Sequence, residues 1–139
     1  MGLALLGSSL GLALAPAVVA EPPAVAQDEI NFLLTSLGTS GCEFFRNGSW
    51  YDARTAEAHL RDKYARWVAI DHIESAEAFI DQVATRSSLS GRAYAVRCGQ
   101  LPGTSSSGWL YELLARYRVE HVPGAPRVGR GAPMLQPQV

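Results

Sequence analysis

The stretch TSGCEFFRNGSWYDA, residues 39–53, decides how this chain folds. Asn47-Gly48 stands between EFFR and SWYD, and an Asn-Gly pair between two such runs is a strong signal for a two-residue β-hairpin turn. Both central residues of that turn need positive φ, which Asn and Gly tolerate. The turn fixes the register, setting Phe45 opposite Trp50 and Phe44 opposite Tyr51 on opposite faces of the ribbon. Both faces carry aromatics, so both must be at least partly covered.

Working forward, Asp52 reads as the N-cap of a helix running to about Trp67, with Ala56, Leu60, Tyr64 and Trp67 as its buried stripe. Glu57/Arg61 and Asp62/Arg66 are i,i+4 pairs on the outer side. Ser75 caps a further helix with Ala76, Phe79, Ile80 and Val83 inward. SSLSGR is loop, and AYAVRC alternates Tyr94, Val96 and Cys98 against Ala93, Ala95 and Arg97 as a strand should. QLPGTSSSG is a second loop, and GWLYELLARYRVE a final helix, capped by Ser107 and packing Leu110, Leu113, Leu114 and Tyr117. Working backward, DEINFLLTSL is a helix with Asp28 as N-cap, Gly38 as stop, and Ile30, Leu33, Leu34 and Leu37 on one side. The expected fold is α+β: a small single domain over 28–121 with about four helices and a three-stranded antiparallel sheet, made of the hairpin plus one late strand.

Cys42 and Cys98 are the only cysteines and lie 56 positions apart. With no CxxC and no His three to five residues from either, they make a poor zinc pattern. A nucleophilic thiol needs a base and a reducing compartment. The N-terminus argues against such a compartment: residues 1–20 are uncharged and apolar and end in the small-residue site Val18-Val19-Ala20, as a signal peptide does, with Ala24-Val25-Ala26 as a second site. One feature disagrees, since no Lys or Arg precedes Arg46; a start codon further upstream would supply the missing basic residues. The reading adopted is a Cys42–Cys98 disulfide that staples the hairpin to the late strand in a periplasmic or secreted protein. Residues 21–27 read as a Pro/Ala leader. Residues 122–139, with four prolines and three glycines, read as a disordered tail.

The core resembles the YfeK-like bacterial family, domain of unknown function 5329. The resemblance rests on EINFLL (29–34), SGC (40–42), RNG (46–48), HLRDKY (59–64), FID (79–81), SG (90–91), Tyr94, Cys98 and SGWL (107–110). It implies a small exported bacterial protein with paired cysteines, and supplies no catalytic residue.

A net charge of −1 and a pI near 6.3 give no reason to expect nucleic acid as a partner. The apolar start is too broken by Ser and Gly for a stable membrane span. No cofactor or metal motif is present. His59 and Lys63 are i,i+4 neighbours in HLRDKY, with Arg61 between them. Arg86, Arg92 and Arg97 flank the hydroxyls of Ser87 and Ser90, which lack a GxSxG or SxxK setting but suit a carboxylate or phosphate. Those eight residues form the expected binding surface, basic and exposed, for an unidentified protein or an anionic ligand of the cell envelope. Asn47-Gly48-Ser49 matches a glycosylation sequon that the tight turn already explains, and Trp50, Trp67 and Trp109 read as core. The first reading is an exported binding module; the alternative is a small cell-envelope hydrolase using His59 with a nearby hydroxyl or carboxylate.

Overall fold

In the computed structural model, Ala15 and residues 21–121 are described, so the signal-peptide and tail expectations fall outside the described residues apart from Ala15. The elements run α1 (Ala24–Thr39), β1 (Glu43–Arg46), β2 (Ser49–Asp52), α2 (Ala53–Val68), α3 (Ala76–Phe79), β3 (Ala95–Arg97), β4 (Thr104–Ser105) and α4 (Ser106–Glu120). A π-helical turn over Ile80–Ala84 prolongs α3.

The hairpin forms in the expected register, with Phe44 opposite Tyr51 and Phe45 opposite Trp50. Asn47 (φ 49°) and Gly48 (φ 90°) make the turn. Asp52 caps α2, its side chain accepting from the Thr55 amide at 2.8 Å, and that contact lowers its pKa. β3 pairs antiparallel with β1 and brings Cys98 to Cys42, whose sulfurs are bonded at 1.99 Å. α3 and its π-helical turn bury Ala76, Phe79, Ile80 and Val83 completely.

The sheet corrects the expectation. Among the described residues it has four strands in the order β2-β1-β3-β4, not three. The stretch read as a loop after Cys98 contributes Thr104–Ser105 as β4, paired with Ala95 and Val96. Two residues are too few for alternation to show in a sequence. The same segment moves the α4 cap: Ser105, not Ser107, accepts from the Gly108 amide at 3.1 Å. α1 likewise begins at Ala24, so Asp28 lies inside the helix and caps nothing, and Ala26, assigned to the leader, is buried. Gly38 does not stop α1. A Cβ there would fall 1.7 Å from Glu57 Oε2, so the glycine leaves room for the Glu57 side chain of α2 against α1.

One face of the sheet, carrying Phe44 and Val96, packs under the helices, with Trp109 of α4 edge-on to Phe44 at 5.7 Å between centroids. Tyr64 meets Phe79 in the same manner at 5.4 Å. Trp67 and Trp109 pack partly buried against this core, whereas Trp50 lies on the opposite face of the sheet. The helices are tied by a charge cluster that periodicity does not reveal. Arg118 donates Nε and Nη2 to the Glu29 carboxylate at 2.7 and 2.9 Å and also reaches Glu77. Those bonds hold Glu77 below its ordinary pKa. Glu29 is buried, so Arg118→Ala strands a carboxylate in a poorly hydrated position. A loss of about 2 kcal/mol is expected in urea denaturation, and an unchanged midpoint would mean that water reaches Glu29 freely.

Candidate functional site

Arg46 ends β1 immediately before the turn, Tyr51 stands on β2, and His59 lies nearly two turns into α2. Tyr94 is held at the mouth of β3 by its amide bonding Thr85 O at 2.9 Å and its carbonyl accepting from Ser106 N at 3.1 Å. These four side chains line a shallow cleft of about 40 Å³, open to solvent, whose other walls include Phe44, Ala56 and Leu60.

The polar end of the cleft is a short chain of hydrogen bonds. Arg46 Nη1 lies 2.9 Å from His59 Nδ1. The same Nη1 lies 3.3 Å from Nε2; a guanidinium only donates, and the shorter contact assigns the lone pair to Nδ1 and the ring proton to Nε2. That nitrogen faces Tyr94 Oη at 3.2 Å. Lys63 Nζ approaches the same oxygen at 3.5 Å and donates to Val83 O at 2.8 Å and Arg86 O at 2.6 Å. Burial first, then the charges of Arg46, Lys63 and Arg66, push the His59 pKa down and keep the ring neutral. Burial, followed by the Arg66 charge, brings Lys63 down to about 8. Burial also raises the Tyr94 phenol.

The residues expected to form one basic surface are dispersed. Lys63 is buried, 4% exposed, and is a structural post between α2 and the backbone after α3 rather than part of an open face. Arg61 lies across α1, bonded to Glu57 at 2.7 Å and to Thr35 Oγ1 at 3.2 Å. Ser87 is buried, accepting from the Leu89 and Ser90 amides. Ser90 donates to Asn47 Oδ1 at 2.6 Å and so ties its loop to the hairpin turn. Arg86 is exposed, and its carbonyl serves Lys63. Arg92 and Arg97 stack over Phe45 and Trp50 on the sheet face away from the helices, and Arg97 also bonds Glu43 at 2.9 Å. Of the eight, only His59 lines the cleft.

Arg46, Tyr51 and Tyr94 were not among the expected site residues. The register places Arg46 and Tyr51 on the same sheet face as Phe44, but nothing local in the sequence sets His59 against them. Among the described residues, no group of three or more His, Cys, Asp or Glu is placed to hold a metal ion. No helix among them is long and apolar enough to cross a membrane.

A conserved-family profile described as a family of unknown function (DUF5329) matches residues 24–118, and the chain belongs to that family. It is similar to an uncharacterized protein, YfeK, of Salmonella typhimurium, with 38% identity over 66 residues, or 47% of this chain and 53% of the relative. The chain thus spans about half the length of that curated relative. No solved structure matches it.

Proposed function

We propose that the protein is an exported binding module and that the cleft between the hairpin and α2 is its ligand site. The observation that carries this reading is the lining itself: aromatic and aliphatic walls closing on a few convergent polar groups, Arg46, His59 and Tyr94, which is the composition of small-molecule sites. The Cys42–Cys98 bond supports an oxidising compartment. Cleavage after Ala20 would leave α1 whole, whereas cleavage after Ala26 would remove its first turn.

The hydrolase alternative finds less support. A general base must offer a lone pair to its nucleophile. The lone pair of His59 is engaged by Arg46, and its N–H meets a phenol rather than a serine or carboxylate. Ser106 lines the same cleft but has no described bond to His59.

Titrating isotope-labelled, disulfide-bonded protein with small aromatic and aliphatic fragments tests the reading. Amide shifts should cluster on residues 44–46, 51, 59 and 94. Shifts confined to the opposite sheet face around Trp50, or absent altogether, would rule the cleft out.

A further inference from the structure

One cation, Arg46, stands in the wall of the cleft with no counter-anion. Elsewhere several arginines are matched: Arg61 to Glu57, Arg97 to Glu43, and Arg118 to Glu29 and Glu77. Among the described residues neither Arg46 nor Lys63 has a carboxylate in ion-pair range. Arg46 is half-buried, and its polar partner is a neutral imidazole, with the Tyr51 ring 5.2 Å from its guanidinium carbon. A guanidinium in an apolar wall is costly unless its charge is met, and its parallel N–H groups match a carboxylate. Tyr94 adds a second donor. Its oxygen already receives the His59 N–H and the Lys63 ammonium, which leaves its own hydroxyl proton without an acceptor among the described residues.

Resting on the reading of the cleft as the ligand site, we propose that it takes small organic acids: a carboxylate on Arg46 and the Tyr94 hydroxyl, with an apolar body against Phe44, Ala56 and Leu60. The cavity is small, about 40 Å³, and open on one side, so a bound acid is compact and leaves part of its body in solvent. A phosphate dianion fits less well, because most of its oxygens would face apolar wall.

The charged and titratable groups around His59 are Arg46 on β1, Asp62, Lys63 and Arg66 on α2, and Tyr94 before β3. Cations outnumber the single carboxylate and keep the ring neutral in the empty cleft. With its lone pair held by Arg46 and its N–H on Tyr94, the ring is a neutral neighbour of the bound carboxylate.

The probes are phenylacetate and its neutral isostere phenylacetamide, titrated against the disulfide-bonded protein at about pH 8 and about pH 6, where a carboxylic acid stays ionised. The acid should bind at least about tenfold more tightly than the amide, the ratio expected when a charge-assisted pair replaces a neutral one. Arg46→Gln, shown to be folded by its melting curve, should bring acid and amide within about twofold of each other. Arg46→Lys, which keeps the charge without the paired N–H groups, should retain part of the preference. Equal binding of acid and amide inside the cleft would overturn the organic-acid assignment and leave the cleft as the site. If neither probe perturbs the cleft residues, the cleft reading falls as well.

Discussion

Removing the Cys42–Cys98 bond should lower the melting temperature by roughly 15–30 °C, the largest single effect expected in this protein. The bond closes a loop of 56 positions. In the chain-entropy description, such a loop restricts the unfolded state by about 4 kcal/mol, comparable to the net stability of a small domain. Its placement adds to that. Cys42 precedes β1 and Cys98 follows β3, so the staple pins the β1–β3 pairing, a contact between distant parts of the chain. A Cys42→Ser/Cys98→Ser double variant avoids a stray thiol and should populate unfolded chain at 37 °C, visible as loss of near-ultraviolet circular dichroism. Melting within a few degrees of the oxidised protein would mean that the helices alone hold the sheet.

Lys63 carries the second large effect. Lys63→Ala should cost about 3 kcal/mol, because the Val83 and Arg86 carbonyls lose their donor and the space of the buried alkyl stem empties. Arg61, two residues away and partly exposed on Glu57, should lose no more than about 0.5 kcal/mol on replacement by Gln. The two side chains read alike in HLRDKY and separate only in the folded protein. Lys63 also gives a pH signature. Its pKa is about 8 when folded against an ordinary value near 10.5, so the unfolded chain binds more protons in that interval. Stability should therefore rise with pH from about 8 to about 10, by about 1 kcal/mol per pH unit in wild type relative to Lys63→Met. The upper bound is set by Tyr64 and Tyr94, whose raised pKa values make their contribution fall away above about pH 10. A wild-type curve parallel to that of Lys63→Met would show that the Val83 and Arg86 carbonyls fully offset the burial of the ammonium.

The hairpin, its register, the Asp52 and Ser75 caps and the buried stripes of α1 and α3 were legible because each rests on local chemistry. A turn pair, a capping oxygen or a 3.6-residue period lies within one short window of sequence. β4 was not legible, since two residues carry no alternation. The true start of α1 was hidden by a Pro-Pro-Ala run that resembles a leader. The site was the least legible part. His59 was singled out by its residue type, but its partners come from β1 and from the start of β3, 13 and 35 positions away. Reading HLRDKY as one basic face failed at Lys63 because i,i+4 spacing from His59 places both toward the strands and α3, while Arg61 faces α1. Charge suggests exposure only until a side chain finds carbonyls to bond.

The two outer strands of the sheet are β2 and β4, and each passes without a connecting residue into a helix: Asp52 into Ala53, Ser105 into Ser106. Outer strands of four and two residues offer another chain almost no ladder on which to add. Such truncated borders protect against growth into fibrillar assemblies, and they do so through topology rather than through gatekeeper charges.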